Sequence, residues 1–215
     1  MTYAPEVRAR LEADAKEIIG RYPKPRSALL PLLHLVQSED GYMSDDGQEF
    51  CAELLGISKA EVVGVSTFYT MFRRKPAGDY HVGVCINTLC AVMGGDQIWS
   101  ELTEHLGTDD ATPDGKVSLE RIECNAACDF APVMMVNWEF FDNQTPASAK
   151  QLVDDLRDGK AVTPTRGPSR LCTFREASRI LAGLPDGLAG EGPSAVGPSL
   201  EGLKVARTNG WEAPK

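Results

Sequence analysis

Cys85-Ile-Asn-Thr-Leu-Cys90 and Glu123-Cys124-Asn-Ala-Ala-Cys128-Asp-Phe-Ala131-Pro132 are the two stretches that decide how this sequence reads. Each cysteine pair stands at or just past the end of a segment with strand character, 81–86 and 117–123. A strand end followed by a tight loop fixes the two Cβ directions and leaves backbone N–H groups free to face sulfur. Two such loops at one sheet edge bring the thiols of Cys85, Cys90, Cys124 and Cys128 around one metal centre. Four cysteine ligands suit either a structural zinc or a [2Fe–2S] cluster. Spacing weighs on the choice without closing it, because C-x4-C followed by C-x3-C is possible for zinc but untypical. The plant-type ferredoxin pattern fails at Met93, and no C-x-x-C of a dithiol exchanger occurs. His34, His81 and His105 are not paired with the cysteines as a Rieske centre requires.

Outward from these loops, the period of the apolar residues changes twice. Residues 5–22 carry Val7, Leu11, Ala15, Ile18 and Ile19 on one helical face, and Tyr22-Pro23-Lys24-Pro25 ends the run. Ser27 is positioned to cap a helix over 28–38 that closes at Gly41, and Ser44 and Ser58 precede helical runs over 46–55 and 59–72. Glu61 follows Ser58 by three residues, as in a capping box. Pro76, Gly78 and Asp79 break the pattern. From there 81–86, 117–123 and 133–141 read as strands, 96–106 as an amphipathic helix, and 148–157 as a helix after Thr145-Pro146. The expected class is α+β in three parts: a helical domain over 1–78, a cysteine-bearing domain over 79–160, and a tail over 161–215. In the tail, 14 of 55 residues are Gly or Pro, so it reads as extended and partner-docking, with one short helix within 173–182.

Composition excludes several functions. With 22 Lys and Arg against 31 Asp and Glu, the 215 residues carry a formal charge of −9, which lacks the basic surplus that nucleic-acid binding draws on. The longest apolar stretch, 28–36, is interrupted by Pro31 and His34 and falls short of the roughly 20 residues of a membrane span. The charged start, MTYAPEVRARLEAD, has no apolar run of a secretory signal, so a cytoplasmic location is expected. In such a compartment six cysteines point to metal or redox chemistry rather than disulfides. Neither G-x-G-x-x-G nor G-x-x-x-x-G-K-[ST] occurs, so no dinucleotide or nucleoside-triphosphate motif is present.

The cysteine pattern, the Glu123–Pro132 box, Asn137, and the upstream Ser66-Thr67-Phe68-Tyr69-Thr70-Met71-Phe72 with Pro76-Ala77-Gly78 together resemble one known family over roughly residues 5–160. It is the thioredoxin-like [2Fe–2S] ferredoxin family of NADH-quinone oxidoreductase, the 24 kDa family of respiratory complex I. The family's usual Leu-Gly in the box is here Asn125-Ala126, and Pro164-Thr165-Arg166-Gly167 is similar to a segment of longer members. The resemblance implies a thioredoxin-like domain behind the helical one, and one [2Fe–2S] cluster held by Cys85, Cys90, Cys124 and Cys128. It also implies a flavin-containing NADH-binding subunit and other peripheral-arm subunits as partners. The chain is then an electron carrier on the cytoplasmic side of the membrane, without insertion and without its own NADH site. The diaphorase subunit of an NAD-linked formate dehydrogenase or hydrogenase shares these motifs, and a structural four-cysteine zinc docking domain is the rival of another class.

Other residues invite plainer readings. Cys51 beside Phe50 reads as a packed core thiol and Cys172 as a contact residue. Phe68, Tyr69, Met71 and Phe72 read as packing between domains, and Arg73-Arg74-Lys75 as a solvated helix end or a docking contact for an acidic surface. His81 has no evident role, and the isomer at Pro132 is open. Between Tyr80 and Gly95 there is no Lys, Arg, Asp or Glu. That shortage of cations predicts a low reduction potential for a cluster held there.

Overall fold

The computed structural model describes residues 3–188, 190–192, 195 and 197–211. In chain order the helices and strands are α1 (Pro5–Ile19), α2 (Leu29–Asp40), α3 (Asp45–Leu55), α4 (Lys59–Ser66), β1 (Tyr80–Cys85), α5 (Thr88–Val92), α6 (Gly95–Leu106), β2 (Val117–Ile122), β3 (Met134–Val136), β4 (Glu139–Phe141), α7 (Pro146–Arg157), α8 (Phe174–Leu181) and α9 (Gly197–Thr208). The four strands form one sheet in the order β2-β1-β3-β4. Two compact units emerge: residues 1–82, 106–120 and 172–187 in one, and residues 83–105, 121–171 and 188–215 in the other. Among the described residues no helix is long and apolar enough to cross a membrane.

The first unit is built around the faces that the apolar spacing marked. Leu11, Ala15 and Ile18 of α1 meet Leu32, Leu33 and Val36 of α2 and Phe50 of α3 in one core, where Cys51 is fully buried, as its neighbours predicted. The serine caps also hold: Ser44 Oγ accepts from the Gly47 N–H, and Ser58 and Glu61 form the reciprocal box. Gly41 ends α2 at φ 79°, a left-handed turn that glycine adopts without a Cβ penalty. The start of α2 differs from expectation. Pro25–Ala28 forms a 3-10 turn, and α2 begins at Leu29 with no side-chain cap, so Ser27 does not cap it.

Helix α4 stops at Ser66 instead of running to Phe72. The Ser66 and Thr67 hydroxyls both donate to the Val63 carbonyl at 3.0 Å, offering it side-chain partners as the helical ladder ends. Phe68 and Tyr69 are consequently 79% and 44% exposed, not core, while Phe72 is buried. Arg73 lies beyond the helix and pairs with Glu120 at 2.6 Å, so it is not a solvated helix end. Gln37 at the centre of the unit is fully buried, accepting from the Arg73 N–H at 2.8 Å and donating to the Met71 carbonyl at 3.1 Å and Ser178 Oγ at 3.3 Å. His81, without a role in the sequence, is buried with Nδ1 3.0 Å from Ser118 Oγ and Nε2 2.9 Å from Glu120. Burial works against the Glu120 charge, yet His81 and Arg73 hold its carboxyl below the ordinary range.

In the second unit the 133–141 stretch is a hairpin: Met134 opposes Phe141 and Val136 opposes Glu139. Its turn residues Asn137 and Trp138 have φ of 49° and 70°, the primed turn that suits a two-residue connection. Helices α6 and α7 are tied by Glu101–Lys150 at 2.6 Å and His105–Asp154 at 2.8 Å. The 161–215 segment contains α8 and α9 among its described residues, rather than a single short helix; positions 189, 193, 194, 196 and 212–215 lie outside them.

Two measurements check this packing. Gln37→Leu leaves the buried Met71 carbonyl and Arg73 N–H without their partner, and urea unfolding should show a loss of about 2–4 kcal/mol. His34, packed 4.7 Å from the Phe72 ring, has its pKa pushed down by burial to about 4. The unfolded chain therefore takes up this proton first, near its ordinary value of about 6.5. Stability from neutral His34 is complete above about pH 6.5 and lost as pH falls toward 4, by up to about 3 kcal/mol. His34→Phe should flatten that part of the pH dependence of unfolding.

Candidate metal centre

Both cysteine loops grow from backbone constraints in the second unit. Strand β1 ends at Cys85, whose N–H donates to the Val133 carbonyl at 3.2 Å. The chain turns at Asn87 into α5, which carries Cys90, and returns at Gly94-Gly95 into α6. A Cβ at Gly95 would stand 2.5 Å from the Cys85 carbonyl oxygen and 2.9 Å from that of Cys90, so only glycine lets the loop close here. The loop after β2 carries Cys124, and a 3-10 turn over Cys128–Phe130 leads to the Ala131–Pro132 bond, which is cis. Asn87 Nδ2 donates to Glu123 at 2.8 Å, tying the two loops together.

The four thiols form two pairs. Cys124 Sγ lies 3.5 Å from Cys128 Sγ, both exposed, while Cys85 and Cys90 are buried in one apolar cluster. Among the described residues no three His, Cys, Asp or Glu side chains converge on a single-ion position. A backbone donor reaches sulfur in the exposed pair: the Ala126 N–H points at Cys124 Sγ at 3.4 Å. Ala126 makes its contact at φ 56°, in the left-handed region. This is the position where the family pattern has Gly, so the substitution keeps the backbone turn.

Burial pushes the Cys90 thiol up to about 11, and the neighbouring Cys85 and Cys128 sulfurs push the same way, against the Val133 N–H. Cys128 is raised chiefly by its contact with Cys124. Thiols in this state need a nearby positive charge to ionise, and a metal supplies it. The buried pair sits in an apolar cluster with Ala127 and Val133, flanked by Ile122, Phe130 and Phe140, which keeps water from that side. Of the other cysteines, Cys51 and Cys172 are buried in the first unit. Asn137 is buried in the turn between β3 and β4.

Sequence reasoning missed one participant. The side chains of Arg166 and Asp142 are each 8% exposed, and Arg166 Nε stands 3.0 Å from Asp142 Oδ2. The guanidinium carbon is 4.0 Å from the Phe140 ring centroid and 5.1 Å from that of Phe130. Arg166 stands in Pro164-Thr165-Arg166-Gly167, the segment similar to longer family members, but nothing in that likeness marks it as a neighbour of the cysteine loops.

Comparisons with known proteins agree with this architecture. Residues 15–157 match the family described as thioredoxin-like [2Fe-2S] ferredoxin. The chain is 63% identical over 216 residues to the E subunit of NADH-quinone oxidoreductase from Mycobacterium tuberculosis, covering 99% of this chain and 85% of that protein. It is 36% identical over 160 residues to subunit 2 of NADH-quinone oxidoreductase from Thermus thermophilus, covering 72% of this chain and 88% of that one. An NAD+-reducing [NiFe]-hydrogenase structure shares the fold at TM-score 0.55 and 16% identity, over 61% of this chain and 23% of the hydrogenase chain. A match that runs through both cysteine loops and most of the helical segment before them makes the chain a member of the thioredoxin-like [2Fe-2S] ferredoxin family.

Proposed function

We propose that this chain is the electron-carrying [2Fe–2S] subunit of the NADH dehydrogenase module of an NADH-quinone oxidoreductase. In this reading it accepts or stores one electron from the flavin of an adjacent NADH-oxidising subunit, on the cytoplasmic face of the membrane. The observation that carries the proposal is the match of residues 15–157, through both cysteine loops, to the thioredoxin-like [2Fe-2S] ferredoxin family, with Cys124 Sγ 3.5 Å from Cys128 Sγ and with Cys85 and Cys90 buried in one apolar cluster. A binuclear cluster asks for two thiolates on each iron, whereas one tetrahedral zinc asks for four sulfurs converging on a point.

Cys85, Cys90, Cys124 and Cys128 are the residues that would hold the cluster, and the donor set fits it. When bound, such a cluster takes up and releases one electron at a time. The chain supplies the rest. The Ala126 N–H orients the Cys124 sulfur and stabilises its negative charge, and the apolar side built on Val133, Phe130 and Phe140 shields the buried pair from water. The Cys124–Cys128 pair faces outward, where a redox partner can approach. Within residues 161–215, α9 is the part we assign to docking on neighbouring subunits, since it buries none of its residues and leaves Leu200, Leu203 and Val205 between 44% and 48% exposed.

Local charge sets the direction of the potential. Arg121 is stacked on the Trp99 ring at 4.9 Å, and Arg166 is paired with Asp142, while Glu123 and Asp129 flank the outer thiols. The thiolates of an oxidised cluster already leave a net charge of about −2, and reduction adds to it with little cationic support. An EPR-monitored redox titration should place the midpoint below about 0 mV, in the lower part of the range for such clusters. A value well above that refutes the charge argument.

Purified protein should be brown and release acid-labile sulfide; a colourless protein containing zinc refutes the cluster reading. Cys124→Ser should abolish or severely weaken the visible absorption, and Cys51→Ser should leave it unchanged. An unaltered spectrum in Cys124→Ser overturns the ligand assignment.

A further inference from the structure

The segment after α7 is anchored on β4 and Asp142, and from there it reaches the second cysteine loop at Phe130 and Asp129. Arg166 pairs side by side with β4, forming an isolated antiparallel bridge to Phe140, while the preceding Thr165 N–H donates to the Phe140 carbonyl at 2.9 Å. The Thr165 hydroxyl accepts from the Asp142 N–H at 3.0 Å and lies 2.9 Å from the Asp142 carboxylate, which orients that carboxylate toward the guanidinium. Arg166 Nη2 then donates to Asp142 Oδ1 at 3.1 Å. The planar cation that this pairing holds faces the rings of both Phe140 and Phe130. Phe130 is the last residue of the turn that starts at Cys128, and its carbonyl accepts from the Asn143 N–H at 2.8 Å. On the exposed side Ser199 Oγ donates to Asp129 in the middle of the same turn.

We infer that Arg166, outside the matched span of residues 15–157, is a positioning residue for the second cysteine loop: its guanidinium clamps Phe130 and so fixes the direction of Cys128 Sγ. Its charge is neutralised locally by Asp142, so the group acts through shape and stacking rather than as a free cation beside the sulfurs. A planar guanidinium serves two aromatic faces and a carboxylate at once, which a lysine ammonium does not. Of the loop from Cys124 to Cys128 only Ala127 is buried: Cys124 and Cys128 are exposed, and the left-handed Ala126 adds strain. A buried anchor beneath the turn compensates for both.

This inference rests on the [2Fe–2S] reading, and the test separates the two. Full-length protein is loaded anaerobically with iron and sulfide, and the loss of visible absorption to a chelator is followed alongside the EPR spectrum of the reduced state and the melting temperature of the metal-free chain. Removing Arg166 alone strands a buried carboxylate, so the informative variants are the double substitution Arg166→Met with Asp142→Asn, the single Arg166→Lys, and Phe130→Leu, which leaves the ion pair intact. All three should lose the cluster about tenfold faster than the unaltered protein and show a changed EPR line shape, at near-unchanged melting temperature. Wild-type rates and spectra in Phe130→Leu and the double variant overturn the inference. So does a faster loss that merely tracks a lowered melting temperature, because that is general destabilisation. If the unaltered chain takes up no iron and sulfide, the cluster reading falls first and this one with it.

Discussion

The placement of the first cysteine pair depends on a close backbone approach at Gly95, where the start of α6 lies against the carbonyls of Cys85 and Cys90. A methyl group there would sit 2.5 Å from the Cys85 oxygen, well inside van der Waals contact, and the loop would have to open. Opening it would separate Cys85 from Cys90 and withdraw both from the apolar cluster around Val133. The same economy of space recurs at Gly83, where a Cβ would meet the Ile122 side chain at 2.8 Å. Two glycines thus allow strand and loop to draw together closely enough for sulfur atoms to become neighbours.

Around this approach the chain uses two kinds of support. One is apolar and non-directional: Ile122, Phe130 and Phe140 pack beside the buried thiols and lower the local dielectric, which is why Cys90 resists ionisation without a metal. The other is directional: the Ala126 N–H aims at Cys124 sulfur, and Asn87 links the first loop to Glu123 in the second. Hydrogen bonds to sulfur favour the charged form and raise a cluster's potential, whereas low dielectric and flanking carboxylates lower it. With the Ala126 N–H at Cys124 and both nearby arginines occupied elsewhere, the balance expected for a cluster here is on the low side.

Much of this was legible in the residues. The helix faces of Leu11, Ala15 and Ile18, the caps at Ser44 and Ser58, the stop at Gly41 and the start at Thr145-Pro146 are local signals, set by a few neighbouring residues, and they appear where the spacing put them. The readings that changed depend on competition between local and distant partners. The apolar and aromatic run from Val62 to Phe72 has helical spacing, but Ser66 and Thr67 turn their hydroxyls onto the Val63 carbonyl and Phe68 emerges into solvent. His81 looked idle because Ser118 and Glu120, its partners, lie 37 and 39 residues further along the chain.

The sequence by itself determined the α+β class, the two cysteine pairs and the family, because strand ends, breakers and cysteine spacing are local properties of the chain. Only the tertiary structure decided which backbone donors reach sulfur, which pair is buried and which faces outward, and that Arg166 stacks on Phe130. Those outcomes turn on side chains distant in sequence meeting at angles that neither composition nor period encodes. Arg166 shows the difference in a single residue: in the sequence it belongs to a Pro-Thr-Arg-Gly segment with no evident link to the cysteines, and in the fold its carboxylate partner and two aromatic rings make it a buried clamp.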